Sequence, residues 1–198
     1  MKFSNVSEIP LTDIDREDLL TDFSMDGCPE KLMDSVKVIG IRHPICIYPF
    51  SNRYSIVSGH KRFQAASRSG LKIVPAFIVP ELDDASRLVI NLNENFGQRQ
   101  YSNIEKGDIL NKLMQAGVSD ETIIEEYMPL LELERSKKLF LDLSGVKNLS
   151  PKLKKLLHRA GVPVKTFNTF YKWDSLTEAE NLFSILKPGV NKWRVLLD

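Results

Sequence analysis

Cysteine is scarce in this sequence. Only Cys28 and Cys46 occur among 198 residues, they lie far apart, and they form no CxxC pair. A disulfide framework and a zinc cluster are therefore not indicated. We expect both side chains to be reduced, partly buried thiols.

Long hydrophobic runs are also missing. No apolar stretch approaches the roughly 18 residues that a membrane-spanning helix needs, and the N-terminal MKFSNVSEIP lacks the apolar centre of a signal peptide. Because 42% of the residues are hydrophobic and 27% are charged, the chain has the composition of a globular protein. We expect a cytoplasmic protein with no membrane partner.

The sequence has almost no net charge, +1 at pH 7, which argues against a uniformly basic nucleic-acid-binding coat. The charges are segregated, however. Residues 147–172 carry seven Lys or Arg and no Asp or Glu, whereas residues 1–34 are markedly acidic. A local basic face is sufficient for contacts with a phosphate backbone. An equally plain alternative is a solvated helix face.

A strand that turns into a helix through one glycine is the most informative local feature. The stretch RYSIVSGHKRFQAA, residues 53–66, predicts a strand, a break at Ser58-Gly59 and a helix from His60. The unpaired N–H groups and the dipole of the helix start would then lie beside Lys61 and Arg62, which suits a phosphate group. The alternative is an ordinary strand-to-helix connection with solvated cations.

The first hundred residues alternate between strands and helices. We predict an edge strand in residues 3–15, where Pro10 excludes a central position, and a helix from about Glu30 to Val38 that stops at Gly40. Further predicted elements are strands at residues 44–48 and 73–79 and a helix at 85–95, with Leu88, Val89 and Leu92 on its inner face.

From Tyr101 onward the helix signals follow one another closely. Ser102 and Glu105 form a capping box, and further helices are predicted at about 119–127, 130–143 and 151–160, with shorter ones near 164–171 and 177–186. Helix, glycine turn, helix, turn and helix is the order of a helix-turn-helix module. The predicted domains are residues 1–100 and 101–198.

Three segments in order resemble the ParB N-terminal domain family. LMDSVKVIGIRHPICIYP is similar to its first box, RYSIVSGHKRFQAASRSGLKIVPAFIV to its second, usually written around Gly-Glu-Arg-Arg, and NENFGQRQYSNIEKG to its third. In the second, His60 replaces the usual glutamate and Lys61 the first arginine. In the third, one extra residue separates Glu94-Asn95 from Arg99. The later helices follow the ParB order, with LELERSKKLFLDL as the second helix of the helix-turn-helix.

The resemblance implies an α/β (α+β) ParB/sulfiredoxin-like domain followed by an all-α helix-turn-helix domain. It also implies a site for CTP with Mg²⁺, in which Glu94 and Asn95 serve the metal ion and Glu94 serves slow hydrolysis. A carboxylate and an amide carbonyl are suitable oxygen ligands for such an ion. The implied nucleotide-binding residues are Gly40, His43, Pro44, Ser58, Gly59, His60, Lys61 and Arg62. For His60, contact with phosphate and simple surface exposure both stay open.

Other functions of the same superfamily are less well matched. Sulfiredoxin relies on a cysteine in this loop, and VSGHKRF has none. A small-molecule phosphotransferase resembling the free-serine kinases would use the same nucleotide site, and it is the alternative from another functional class. No base for an external hydroxyl can be identified.

Two groups of cations in the helical half are the predicted DNA contacts. One group lies on the third helix and the other on the next helix, at three- and four-residue spacing. The first is Arg135, Lys137 and Lys138, near the groove; the second is Lys152, Lys155 and Arg159, a basic ridge along the phosphates.

The combined prediction is a ParB-like protein of plasmid or chromosome partition, or a related transcription regulator, located at the nucleoid or a plasmid. Its expected partners are double-stranded DNA, the nucleotide and, for a partition role, a Walker-type ATPase. Homodimerisation stays open. We expect no separate C-terminal dimerisation domain of the kind that full partition proteins usually carry, and therefore no stable clamp.

Overall fold

The computed structural model describes residues 6–164 and residue 167. It divides into two compact units, Met1–Asn95 and Phe96–Asp198. The first unit combines strands and helices, and the described part of the second unit is built from helices alone. The two short helices predicted near residues 164–171 and 177–186 lie outside the described residues.

A four-stranded mixed sheet forms the centre of the first unit. Its strand order is β1-β4-β2-β3; β2 runs parallel to β4, and the β1–β4 and β2–β3 pairs are antiparallel. Pro10 ends the edge strand β1, as the predicted position requires. The strands are β1 (Ser7–Pro10), β2 (Ile45–Phe50), β3 (Arg53–Ser58) and β4 (Ile73–Ile78).

Helices cover both faces of the sheet. Ile45 and Ile47 of β2 pack with Phe63 and Ala66 on one face, whereas Cys46 and Tyr48 pack against the side that carries Ile90. The first four residues of this central strand, Ile45 to Tyr48, are therefore buried, whereas Pro49 and Phe50 are exposed. The helices are α1 (Glu30–Ile39), α2 (His60–Arg68) and α3 (Asp84–Asn95).

A segment with little regular structure, residues 14–29, connects β1 to α1 and is attached to the sheet and to α3. Ile14 pairs with Tyr54 of β3 through an isolated parallel bridge. Asp18 forms an ion pair with Arg87 of α3, and Arg87 also lies over the ring of Tyr48. Arg87 is buried, although the sequence pattern placed only apolar residues on the inner face of α3.

The second unit is organised around one long helix. Its N-terminus has the predicted capping box, because Ser102 accepts a hydrogen bond from the Glu105 amide and Glu105 accepts one from the Ser102 amide. The helices are α4 (Asn103–Gln115), α5 (Asp120–Thr122), α6 (Met128–Leu130), α7 (Lys137–Ser144) and α8 (Pro151–Ala160), with a π-helical stretch, Ile123–Tyr127, between α5 and α6.

α7 and α8 are fixed directly to α4. The Asn111 amide of α4 donates to the Ser144 carbonyl at the end of α7, and a Cβ at Gly107 would lie 2.8 Å from Val146. On α8, Lys154 pairs with Asp108 at 2.6 Å. The surfaces of α7 and α8 are therefore presented by one rigid scaffold.

The predicted helix at residues 130–143 is wrong in its first part. The chain leaves the helical conformation after Leu130, Glu132 adopts a left-handed φ of 55°, and α7 begins only after the cap Ser136. Amides of Leu131, Glu132 and Leu133 bond back to the preceding turn, which closes the earlier helix. Although residues 131–135 include good helix formers, the turn at Glu132 and the cap at Ser136 prevent a continuous helix here.

Candidate functional site

The turn between β3 and α2 has a backbone that only glycine fits. Gly59 has φ 106° and ψ 21°, a combination that side chains with a Cβ rarely adopt. A Cβ at this position would also lie 2.7 Å from Ile45 Cγ2. The first turn of α2 is thereby held directly against β2, and its amide N–H groups are those that a helix cannot pair internally.

Arg62 links this turn to the segment before β2. Its Nη1 donates to the His43 carbonyl at 2.7 Å and to the Pro44 carbonyl. The segment itself begins at Gly40, whose φ of 68° ends α1. The structure thus brings together two of the predicted groups of nucleotide-binding residues through a single guanidinium.

The carboxylate of Glu94, at the end of α3, acts on charged and titratable groups beside the Gly59 turn. Burial lowers the pKa of Arg62, and the Glu94 carboxylate opposes that effect. Burial, with a smaller contribution from the Glu94 carboxylate, raises the pKa of the Cys46 thiol to about 12, although Arg62 acts in the opposite direction. Glu94 therefore acts electrostatically on groups in both β2 and α2. The Cys46 thiol stays protonated at neutral pH, so it is a poor nucleophile.

An asparagine pair fixes the C-terminal turn of α3. The buried Asn91 donates from Nδ2 to the Val57 carbonyl in β3 at 2.7 Å, and Asn95 donates from its Nδ2 to the Asn91 carbonyl and Oδ1. These bonds use the side-chain nitrogen Nδ2 of Asn95 and leave its side-chain oxygen Oδ1 unused by them. Asn91 was not predicted from the sequence; its spacing of four residues from Asn95 is the signal that could have indicated it.

His60 faces a different part of the unit from the one expected for a phosphate ligand. Its side chain is buried, and Nε2 lies 2.9 Å from Thr21 Oγ1. Since the Thr21 hydroxyl donates its proton to the Ile56 carbonyl, it accepts from His60 Nε2–H. The imidazole therefore attaches residues 14–29 to the turn between β3 and α2. The His60 backbone amide belongs to the first turn of α2.

A cleft of about 210 Å³ lies between the 15–19 segment and α2. It is bounded by residues of the 15–19 segment and by one face of α2 that includes His60 and Phe63. The cleft is separate from the Arg62–Pro44 contact, and its volume is below the roughly 300–1,000 Å³ of most small-molecule sites. It is therefore not the place for a whole nucleotide.

Metal ligands form no cluster of their own in the part of the chain that the structure describes. Among the described residues, no three His, Cys, Asp or Glu side chains are grouped to hold a metal ion. Glu94 and Asn95 lie side by side at the end of α3, half-exposed. Any ion at this pair needs further oxygen ligands from another molecule.

Arg99 is engaged within the helical unit. Its Nη2 pairs with the buried Glu105 carboxylate at 2.7 Å, and its guanidinium lies 4.7 Å from the Tyr101 ring centroid. The extra residue between Glu94-Asn95 and Arg99 thus coincides with an arginine that supports the α4 capping box.

The predicted DNA-contacting cations have different environments. Lys137 and Lys138 are exposed in the first turn of α7, whereas Arg135 precedes the helix and pairs with Glu125 at 3.3 Å. The ridge residues Lys152, Lys155 and Arg159 all lie on the exposed side of α8. Leu153 and Leu157 occupy its buried side.

No helix within residues 6–164 is long and apolar enough to cross a membrane.

Comparisons with known proteins point to one family. Residues 1–96 match the profile described as the ParB N-terminal domain. The probable chromosome-partitioning protein ParB of Coxiella burnetii is 38% identical over 85 residues, which is 43% of this chain and 29% of that protein. The chromosome-partitioning protein ParB of Caulobacter vibrioides is 36% identical over 89 residues, again 43% and 29%. The chain thus spans less than a third of the length of these relatives.

One solved structure supports the fold, and a second is similar at a lower TM-score. A pNOB8-like ParB N-domain has a TM-score of 0.54 and 15% identity, and the match covers 94% of this chain and 86% of that one. The C-terminally truncated ParB of Caulobacter crescentus, complexed with CTP-γ-S, has a TM-score of 0.42 and 20% identity, covering 98% of this chain and 100% of that one. Over residues 1–96 this chain is therefore similar to the ParB N-terminal domain family.

Proposed function

We propose that this chain is a ParB-like DNA-binding protein of plasmid or chromosome partition whose N-terminal unit binds CTP with Mg²⁺. The observation that carries the nucleotide part is the contact of Arg62 with the His43 and Pro44 carbonyls. It joins the phosphate-type turn to the segment that the family resemblance places beside the base. Residues from the first and the second of the family-like segments therefore meet at the Arg62 guanidinium.

The phosphate part of the site would consist of Ser58, Gly59 and the first turn of α2. Amide N–H groups and the helix dipole favour an anion there, and Lys61 and Arg62 add charge. Because Arg62 Nη1 is engaged by carbonyls, its other donors would meet a phosphate oxygen, and burial strengthens such a charge-assisted bond. His60 would contribute its amide, since its ring contacts Thr21.

Mg²⁺ would be held by Glu94 and the Asn95 carbonyl oxygen. The pair fits a hard cation because both atoms are oxygens, and the Asn91 contacts orient Asn95 so that its oxygen is available. With no third acidic ligand grouped beside them in the described residues, most of the coordination would come from triphosphate oxygens and water, which is usual for Mg²⁺. Glu94 would also serve slow hydrolysis.

The second unit would bind double-stranded DNA. The segment from α5 to α6, the turn at residues 131–136 and α7 have the order of a helix-turn-helix, with α7 as the recognition helix. The α8 ridge of Lys152, Lys155 and Arg159 would contact phosphates. The name of the relatives, chromosome-partitioning protein, suggests the role.

A partition role implies further partners. We propose a Walker-type ATPase as one of them, and a homodimer when the protein is bound to DNA. A gene for such an ATPase next to this one would favour partition over transcription regulation.

The nucleotide site is tested by thermal unfolding with Mg²⁺ and CTP, ATP or GTP. A ligand at 100 times its Kd stabilises the folded state by about 2.7 kcal/mol, so CTP should raise the melting temperature by several degrees. Arg62→Ala should abolish the increase, whereas Arg68→Ala, at the exposed end of the same helix, should keep it. Glu94→Gln should keep nucleotide binding but weaken its Mg²⁺ dependence or hydrolysis.

Two results would count against the proposal. Unchanged melting temperatures with all three nucleotides at millimolar concentration would mean that the turn binds none of them. Rapid nucleotide turnover without DNA would instead favour the small-molecule phosphotransferase.

A further inference from the structure

Leu141 is a large apolar side chain on the solvent side of α7. It is 56% exposed, whereas its neighbours Phe140 and Leu143 are 1% and 0% exposed and face the core. A single exposed leucine is common on protein surfaces and needs no explanation by itself. Its surroundings on this helix distinguish it.

Two lysines border Leu141 on the same face. An α-helix turns by about 100° per residue, so position 141 lies between positions 137 and 138 when viewed along the axis. Both lysines are exposed, and no acidic side chain within the described residues pairs with them. The centre of the exposed face is therefore apolar and its edges are cationic.

The acidic residues near α7 restrict what this face can contact. Asp142 follows on the side away from Lys137, and Glu134 precedes the helix. Carboxylates this close would repel phosphates. A duplex approaching α7 would consequently meet the face formed by Lys137, Lys138 and Leu141, with its groove at Lys138 and Leu141.

We infer that Leu141 is a specificity-determining residue that contacts the C5-methyl group of a thymine in the major groove. The inference rests on the proposed DNA-binding function and extends it to one residue and one base atom group. The major groove exposes the thymine methyl, which apolar side chains recognise, and residues near the start of a recognition helix reach base edges. Burial of one methyl group corresponds to about a fourfold gain in affinity.

The test is a scan with deoxyuridine, which lacks the methyl group. A preferred duplex is first selected from random DNA with the full chain, and each thymine is then replaced in turn while Kd is measured by fluorescence anisotropy. The wild-type protein should lose about fourfold in affinity at one or two thymines. Leu141→Ala should bind the thymine and deoxyuridine duplexes equally at those positions. Leu19→Ala, which removes a leucine of similar exposure (57%) from the first unit, should behave like wild type.

Each other outcome is informative. If duplex binding is present but wild type and Leu141→Ala respond alike to deoxyuridine, the inference is wrong and the proposed function stands. If Leu141→Ala changes only the sedimentation mass of the protein, the leucine is a contact between chains and the inference is again wrong. If no duplex is bound at all, the proposed function fails together with it.

Discussion

Gly59 meets two separate requirements of the turn. Its φ of 106° requires a residue without a Cβ, and the approach of Ile45 leaves no space for one. Gly70 offers a comparison, because its φ is 76° and nothing lies within 4 Å of a Cβ built there. A comparison of substitutions at the two glycines therefore separates the cost of backbone strain from the cost of close packing.

Gly59→Ala should therefore destabilise the protein more than Gly70→Ala. The left-handed backbone costs an alanine about 1–2 kcal/mol at either site, and overpacking against Ile45 adds about 1–3 kcal/mol at Gly59 alone. Urea unfolding of both variants measures the difference. Equal losses would mean that β2 moves away from the turn without cost.

Residue types alone predicted the turn between β3 and α2 but not all of its contacts. Gly59 and Arg62 were recognisable because a strand-to-helix turn needs a glycine and a phosphate needs a cation. The ring of His60 was open between two interpretations, since its partner Thr21 is distant in sequence and lies in a segment without periodicity. The role of Asn91 was likewise missed, because its contact with the Val57 carbonyl depends on the packing of α3 against β3, which the spacing from Asn95 alone does not show.

At the scale of elements, the 14–29 segment depends on an ion pair for its attachment to α3. Burial by itself raises the pKa of Asp18, but the Leu20 amide, Arg87 and Ser55 together outweigh it and hold the pKa below 3.8. A lowered folded-state pKa contributes stability above the unfolded value, and this contribution is lost as the pH falls through the folded value. The pair therefore stabilises at neutral pH and weakens in acid.

Asp18→Asn should lower the free energy of unfolding by about 1.5–3 kcal/mol at pH 7, because it removes the charge from a hydrogen-bonded pair with Arg87. The loss should diminish below about pH 4. Urea unfolding between pH 3 and pH 7 measures the trend. Asp13→Asn, at an exposed position, is the control and should show a small loss. A loss for Asp18→Asn that does not change with pH would contradict the ion-pair explanation.

The break before α7 can be tested by the sign of an effect. Glu132 has φ 55°, a conformation in which glycine is favoured over alanine by about 1 kcal/mol. Within a continuous helix, glycine would instead be worse than alanine by about the same amount. Glu132→Gly should thus unfold at a higher temperature than Glu132→Ala, and both variants lose the same carboxylate. If Glu132→Ala instead unfolds at the higher temperature, the result would favour the continuous helix at residues 130–143 that the sequence predicted.

Most helix starts with capping residues were predictable, but the start of α7, which Ser136 caps, was not. Ser102 with Glu105, Ser119, and Ser150 before Pro151 all cap helices where the sequence placed them. The segment from Leu130 to Ser136 has no glycine or proline after Pro129 to mark its turn. Its backbone is set by Glu132 in an uncommon conformation, which depends on packing that sequence periodicity does not contain.

At the scale of the whole molecule, a net charge of +1 conceals an uneven distribution of charged residues along the chain. The exposed side of α8 carries Lys152, Lys155 and Arg159, whereas Lys154 is neutralised by Asp108. Only cations that displace counterions from DNA contribute to the salt dependence of binding. The ridge can therefore be measured separately from the overall charge.

The salt dependence of duplex binding should identify the ridge. The slope of log Kobs against log salt is about −0.9 for each phosphate neutralised, so Lys155→Ala should flatten the slope by about one and weaken binding to all sequences alike. Lys138→Ala, on α7, should instead change the preference between sequences. Lys37→Ala removes an exposed cation of the first unit, paired with Asp34 at 4.0 Å, and should leave the slope unchanged. Fluorescence anisotropy between 50 and 200 mM salt gives the slopes; over this range a protein with about 6–10 phosphate contacts loses about 10³-fold or more in affinity. If Lys155→Ala and Lys37→Ala have the same slope as wild type, the ridge is a solvated helix face and DNA is bound elsewhere or not at all.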